Sequence, residues 1–310
     1  MKTNKKFKIA LFAAQDFGYQ LVKYLQTIQH LDLMVFSYDN LYDSYYGYRS
    51  ALTLCKESKI TCVDFHKSRS MIYDIINAFS PTHIICGFYD RILSQKIIST
   101  AKYGAFNVHP GHLPKYRGPF PTAWAILNGE DLFGITIHYM DSSIDTGDII
   151  FQKTHNILPD ETGFELYNHS MRLSAELYAE KLEDILCGNY EPNKQTRYGT
   201  YYGNIPSHVQ IDWRKPSRYI CNEVRVHAPP YYPAYSFVKN KCILFKKCFV
   251  FDTKEHTSQG PGKILEVFKN GTFLVSSVDG CVLVEDYECI PKDIHGSKFN
   301  HVFKGLRFNY

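Results

Sequence analysis

The sequence predicts an α/β protein: a mostly parallel sheet in an N-terminal domain over residues 1–200, followed by a small β-barrel domain over residues 206–310. Three observations carry this. Short apolar runs alternate with helix-length segments through the first part of the chain, the pattern of right-handed βαβ units. Residues 188–206 are rich in Gly, Asn, Pro and Tyr and read as a linker rather than a packed element. Beyond them the pattern changes to short strands separated by turn dipeptides, the signature of a small barrel of about a hundred residues.

The elements follow in order. Residues 8–13, 33–37, 61–63, 83–86 and 105–109 are apolar runs of strand length and read as buried strands. Residues 134–140 and 149–153 bracket an irregular turn around Asp145 as two further strands. Thr162-Gly163-Phe164-Glu165 is a capping box, and Phe164, Tyr167, Met171, Tyr178 and Leu182 then mark one face of a helix that ends before Gly188. A second helical stretch covers residues 217–227, and Lys239-Asn240, Asn270-Gly271 and Asp279-Gly280 are hairpin signals. No internal repeat or low-complexity segment is present.

Composition narrows the function classes. The chain has 310 residues, 45% of them hydrophobic and 21% charged, a globular balance for two ordinary domains. The basic start, residues 1–8, is followed by an apolar run of only residues 9–14, too short for a signal peptide core or a membrane span, which predicts a cytoplasmic protein. Nine cysteines form no Cys-x-x-Cys pair, so reduced core thiols are expected, with no disulfide framework and no metal. A formal charge of +4 with 24 Tyr and 21 Phe is aromatic rather than basic, and no clustered Lys/Arg footprint for nucleic acid stands out.

The chemistry-bearing stretch is Asn107-Val108-His109-Pro110-Gly111-His112-Leu113-Pro114-Lys115-Tyr116-Arg117-Gly118, with Asp145 downstream in Asp141-Ser142-Ser143-Ile144-Asp145-Thr146-Gly147-Asp148. In a strand, Asn107 and His109 leave on one face. An amide that donates and an imidazole that moves protons suit acyl transfer to an amine, where charge grows on the carbonyl oxygen and a proton leaves nitrogen. Asp145 can orient His109, couple to its charge or take the proton itself; Asp148 reads as a turn residue. The strand end that carries the pair is where ligands of parallel sheets sit. The turn Phe12-Ala13-Ala14-Gln15-Asp16-Phe17-Gly18 lacks Gly-x-Gly-x-x-Gly, which argues against NAD or FAD. His138, His155 and His169 read as isolated residues.

The stretch resembles the signature Asn-x-His-x-x-Leu-x-Pro-x-x-x-Gly of the formyltransferases that use N10-formyltetrahydrofolate, matched by Asn107, His109, Leu113, Pro114 and Gly118 with the downstream Asp145. Gly134-Ile135-Thr136-Ile137-His138-Tyr139-Met140 and Ile211-Asp212-Trp213 extend the likeness over the whole chain. One departure is Gly111-His112 where many relatives have Ser-Leu. The resemblance implies a Rossmann-like catalytic domain followed by an OB-like barrel, N10-formyltetrahydrofolate as co-substrate without metal, and catalysis by Asn107, His109 and Asp145. It also implies a pterin-holding loop with Gly87, Phe88, Tyr89, Ile92 and Leu93, assisted by Tyr139 and Asp141. Acceptor contacts are expected at Arg117 and Gly118, the guanidinium suiting a phosphate, while Gln15 in the first turn reads equally as an acceptor contact or as a structural turn residue.

Acceptors differ within the family. The extra barrel disfavours the single-domain purine-pathway members. Residues 37–48, where the tRNA enzymes carry a basic loop, hold two Asp, several Tyr and no Lys or Arg, which would repel a polyanion. Phe88-Tyr89-Asp90-Arg91, Gly104-Ala105-Phe106-Asn107, residues 113–118 and Asn128-Gly129-Glu130 are most similar to the amino-sugar N-formyltransferases. The expected acceptor is therefore a nucleotide-linked amino sugar, a dTDP-4-amino-4,6-dideoxyhexose first, for a surface polysaccharide such as an O-antigen. Methionyl-tRNA is the alternative, with Lys239, Lys241, Lys246 and Lys247 of the barrel as its contacts. A homodimer is compatible with the resemblance.

Overall fold

The computed structural model describes residues 6–39, 43–68, 70–196, 198–251, 259–290 and 303–309. Most of the basic start, the middle of the tyrosine-rich loop (40–42) and two stretches of the predicted barrel (252–258 and 291–302) lie outside the described residues.

The first part runs β1 (Phe7–Ala13), α1 (Gln15–Leu25), β2 (Leu31–Ser37), α2 (Asp43–Tyr46), α3 (Ala51–Glu57), β3 (Thr61–Asp64), α4 (Phe65–Ser68), α5 (Ile72–Phe79), β4 (His83–Gly87), α6 (Gln95–Ile98), β5 (Gly104–His109), α7 (Pro121–Leu127), β6 (Leu132–Tyr139), β7 (Ile149–Asn156) and α8 (Gly163–Cys187). The central strands β1 and β4 are buried almost throughout, as expected where helices cover both faces of a sheet. Phe12 of β1 stacks on Phe36 of β2 with ring centroids 4.4 Å apart, which fixes how the two strands face each other. The predicted capping box starts α8: the Thr162 hydroxyl accepts the Glu165 amide at 3.2 Å, and the Glu165 carboxylate accepts the Thr162 amide at 2.9 Å.

The seven strands lie in the order β3-β2-β1-β4-β5-β6-β7. Pairing is parallel from β3 to β5, and β6 then runs antiparallel to β5, so the sheet is mostly parallel as expected. The chain winds outward from β1 in one direction and resumes at β4 on the other side, which makes β1/β4 the switch point where strand-end loops part to leave a crevice. The predicted site residues fall on β5 and at or beyond the ends of β1, β4, β5 and β6.

The second part has α9 (Ser217–Val226) and then β8 (Ala234–Val238), β9 (Lys241–Phe251), β10 (Ile264–Val267), β11 (Phe273–Ser276) and β12 (Cys281–Ile290). The three hairpin dipeptides fall between β8 and β9, β10 and β11, and β11 and β12. The sheet order is β10-β11-β12-β9-β8, and the edges meet through one segment near the end of the chain. Arg307 bridges to Lys263 before β10 and Asn309 to Phe237 of β8, which closes the sheet. Trp213, fully buried, stacks on Phe308 at 5.2 Å and donates its indole N–H to Ser236 at 3.3 Å. The closing segment is thus held by the largest side chain of the core.

The chain forms two compact units, one of Met1–Pro121, Phe133–His155 and Asn168–Gly203, the other of Thr122–Leu132, Asn156–Tyr167 and Asn204–Tyr310. In the second unit, Arg225 of α9 donates to the carbonyls of Leu158 and Pro159 at 3.2 Å each, which ties residues 156–167 to it.

Residues 188–206 differ from the expected linker. Part of the stretch packs in the first unit against the loop after β5: Arg117 donates its amide to the Thr200 carbonyl and Tyr202 donates to the Arg117 carbonyl, each at 2.9 Å. The Tyr116 and Tyr202 rings stack at 5.3 Å. Gly, Pro and Asn are what an irregular strap needs as much as a linker does, and the pairing that separates the two is tertiary.

Candidate active site

Asn107 and His109 stand on β5, opposite His138 and Thr136 of β6 in the antiparallel register. Directly paired residues of neighbouring strands share a face, so β6 presents Thr136 and His138 to the same side as the predicted pair. The Thr136 hydroxyl donates to the Gly111 carbonyl at 2.7 Å and anchors the loop after β5. His138 reaches both remaining members: its Nε2 lies 3.2 Å from Asn107 Nδ2 and 3.6 Å from an Asp145 carboxylate oxygen. The structure therefore brings Asn107, His109 and Asp145 together and adds His138, which the sequence reading set aside. The available signal was the period-2 alternation of Gly134, Thr136 and His138 against Ile135 and Ile137.

His109 is buried between two acceptors. Its Nε2 lies 2.6 Å from the Tyr116 carbonyl oxygen, which can only accept, so Nε2 carries a proton. Its Nδ1 faces Asp145 Oδ2 at 3.4 Å. Tyr116 and Asp145, which both touch the imidazole, have left-handed φ angles of 61° and 55°, a backbone strain tolerated where the surroundings over-determine it. Asp145 Oδ2 also accepts the Gly118 amide at 2.9 Å.

Burial pushes His109 toward its neutral form, and the Asp145 charge opposes this without cancelling it. Burial also works against an ionised Asp145, but the His109 charge and then the Gly118 amide hold its carboxyl well below the usual range. The two directions conflict in part, since the help from His109 draws on a charge that burial disfavours. An ionised Asp145 beside a neutral His109 satisfies both at neutral pH, because an ordinary carboxyl is already ionised there. In that state Nδ1 keeps its lone pair, and a proton arriving at it is stabilised by the carboxylate 3.4 Å away.

The strap anchors the Asp145 loop. Gln195 donates through its side-chain nitrogen to the carbonyls of Asp145 at 2.9 Å and Gly147 at 2.7 Å, while its oxygen accepts two N–H groups of Arg117. Arg117, predicted to meet the acceptor, thus spends one edge of its guanidinium within the protein. A Cβ on Gly147 would collide with the Tyr139 carbonyl, so the loop closes onto β6 only with glycine there. Asp141 accepts from the Ser143 amide and the Thr146 hydroxyl, which places it as a brace of the same loop.

The other predicted contacts are spread over strand-end loops. Gly87 ends β4 with Val108 and Phe17 against it, and Phe88 follows with a left-handed φ of 49° and its ring 5.1 Å from Phe17. Tyr89 packs edge-on to Phe12 and Phe65, Leu93 is buried, and Ile92 is 83% exposed. Tyr139 stands apart from the His138 side: its ring meets Phe106 at 4.8 Å and its hydroxyl meets that of Tyr190 at 2.7 Å. Gln15 begins α1 with a left-handed φ of 56°. In the tyrosine-rich loop Tyr38 is buried, its hydroxyl donating to Asp90 at 2.5 Å, whereas Tyr45 and Tyr46 pack on each other. Among the described residues no group of three or more His, Cys, Asp or Glu could hold a metal ion.

Two family descriptions match the chain: formyl transferase over residues 51–182 and formyl transferase, C-terminal domain, over residues 205–300. The methionyl-tRNA formyltransferase of Clostridium tetani is 33% identical over 214 residues, 68% of each chain. That of Clostridioides difficile is 35% identical over 217 residues, 69% of each chain. Among solved structures, WlaRD, a sugar 3N-formyl transferase crystallised in the presence of dTDP and 5-N-formyl-THF, matches with a TM-score of 0.71 at 20% identity, over 94% of this chain and 100% of that one. The N-formyltransferase from Helicobacter canadensis, in complex with folinic acid and dTDP-3-aminofucose, matches at 0.71 and 23% identity, over 91% and 100%. At those identities the structural likeness is one of fold.

Proposed function

The chain belongs to the formyl transferase family, and we propose that it is an N-formyltransferase carrying the formyl group of N10-formyltetrahydrofolate to the amine of a nucleotide-linked amino sugar. A dTDP-4-amino-4,6-dideoxyhexose is the first candidate acceptor. The observation that carries the chemistry is the single cluster of Asn107, His109 and Asp145, one hydrogen-bond donor beside one buried carboxylate–imidazole pair. As the amine attacks the formyl carbon, Asn107 donates to the oxygen that gains charge, and the Asp145–His109 pair receives the proton leaving nitrogen. The tetrahedral adduct then collapses with cleavage of the bond from the formyl carbon to N10, which takes that proton and leaves as the amine of tetrahydrofolate. The co-substrate supplies the formyl carbon. The loop at 87–93 fits its flat heterocycle: Ile92 is an exposed apolar side chain, and the left-handed turn at Phe88 alters the run of backbone donors and acceptors beside it. Catalysis is assigned to a domain spanning residues 1–200, with residues 206–310 as an accessory OB-like domain.

The sugar reading rests on charge. The described part of loop 37–48 has no cation, and Asp39 accepts the Ser50 hydroxyl at 2.7 Å. In the barrel, Lys246 and Lys247 are paired with Glu288 at 3.1 Å and Glu285 at 2.8 Å, which leaves less positive charge for a polyanion. The fold neighbours crystallised with dTDP or a dTDP-sugar are in keeping with it. Methionyl-tRNA is the second reading, favoured by the identity to the clostridial enzymes. A cytoplasmic step in surface-polysaccharide (O-antigen) synthesis is the proposed setting; among the described residues no helix is long and apolar enough to cross a membrane. The test is incubation with N10-formyltetrahydrofolate and a panel of dTDP-, UDP- and GDP-linked amino sugars beside methionyl-tRNA. Added formyl mass on a sugar is expected, and mass gained by methionyl-tRNA alone would transfer the proposal to the second reading.

A further inference from the structure

His138 is buried, and its ring nitrogens meet two groups of fixed character. Nδ1 lies 2.7 Å from the Tyr139 carbonyl oxygen, which has no proton to give, so Nδ1 carries the hydrogen of the neutral ring. That leaves a lone pair on Nε2, 3.2 Å from the side-chain nitrogen of Asn107. An amide oxygen turned toward this lone pair would be repelled, whereas the NH2 group donates to it. The Asp145 oxygen at 3.6 Å from Nε2 is itself an acceptor and cannot serve a lone pair. Asn107 and His138 are directly opposite in the β5–β6 register, so the contact is set by the sheet rather than by a loop.

We propose that His138 is a positioning residue for formyl transfer: it orients the Asn107 amide so that the second N–H is directed to the developing oxyanion. The order of control runs from the Tyr139 carbonyl to the His138 tautomer, then to the rotation of Asn107. An asparagine amide left unheld turns by half and presents its oxygen, which would repel the charge it must stabilise. The inference rests on the formyl-transfer reading, in which Asn107 is the oxyanion donor.

The test has two independent parts. In steady-state assays of the full chain with N10-formyltetrahydrofolate and dTDP-4-amino-4,6-dideoxyglucose or methionyl-tRNA, His138→Leu is expected to lower kcat by about 100-fold to 1,000-fold, the loss typical of one oxyanion donor. KM for the formyl donor should stay within about two-fold, since this binding does not use the amide. His138→Gln, whose side-chain oxygen can accept the same N–H, should recover kcat to within about ten-fold of the wild type. A folded His138→Leu with wild-type kcat, or a His138→Gln as slow as His138→Leu, overturns the proposal. Nitrogen-15 NMR of the unmodified protein reads the orientation directly: a protonated Nδ1, a bare Nε2 and a coupling across the hydrogen bond to the Asn107 amide nitrogen are expected. A protonated Nε2 overturns the proposal whatever the kinetics. If the wild type formylates neither acceptor, the transfer reading fails, and the spectrum still decides whether His138 sets the amide.

Discussion

Gly111 lies against the His109 ring, so closely that a Cβ on it would stand 2.5 Å from His109 Nε2 and 3.0 Å from the Tyr116 carbonyl that this nitrogen meets. The glycine is the space in which the imidazole sits. Gly111→Ala should push the ring off the Tyr116 carbonyl and out of line with Asp145. A displacement on the order of 1 Å at a reacting group costs about a hundred-fold in rate, so kcat should fall by about 10- to 100-fold with the circular dichroism spectrum unchanged. An alanine variant at full rate would mean that the ring is free to move without consequence.

Asn107→Ala, His109→Ala and Asp145→Ala should each lower turnover by about two orders of magnitude or more while the protein stays folded. Because His109 and Asp145 handle one proton between them, the double variant should be little worse than the slower single one. Additive losses in stopped assays would separate their roles.

The acid limb of the rate profile should lie below the ordinary imidazole value of about 6.5, because burial lowers the His109 pKa and the base stays neutral to lower pH. The Asp145 charge raises that pKa, so Asp145→Asn should move the limb further down. The same sign applies to folding: stability linked to His109 is complete above about pH 6.5 and is lost as pH falls through the depressed value. A limb above pH 6.5 would assign the titration to another group.

Gln195→Ala removes two donors from the Asp145 loop and leaves the Arg117 guanidinium without its acceptor. A loss of about 1–3 kcal/mol is expected from the unmet polar groups. KM for the acceptor should rise in parallel, since the strap and the Asp145 loop would no longer be joined. Unchanged melting and kinetics would reduce the strap to a spectator.

Glu223, half-buried in the second unit, has its pKa pushed up to about 7 by burial and then by the neighbouring Asp212 charge. Its folded value lies above its unfolded value, so the stability it contributes is complete below about pH 4.5 and is lost as pH rises through about 7. Glu223→Gln should therefore stabilise the protein by about 1–2 kcal/mol at pH 8, allowing for partial exposure, and change little at pH 4.5. Denaturation with urea at the two pH values measures this.

Much of the fold was readable from local rules. The strand runs, the capping box at Thr162 and Glu165 and the three hairpin dipeptides depend on residues a few positions apart, and each acts where it was expected. Asn107 and His109, two apart on one strand, also fall within that range. What escaped was set by pairing over long separations. His138 looked isolated because its partner is 31 positions away, and Gln195 looked like part of a linker although it braces a loop some 50 positions earlier.

The sequence by itself determined the parallel sheet, the change to hairpins, the amide–imidazole–carboxylate set and the lack of a basic loop, because period, turn chemistry and charge are properties of short segments. Only the tertiary structure decided which nitrogen of His109 is protonated, that Gly111 makes room for its ring, and that His138 faces Asn107. Those depend on which acceptor each atom meets across strands and loops, and proton positions follow from such neighbours rather than from residue type.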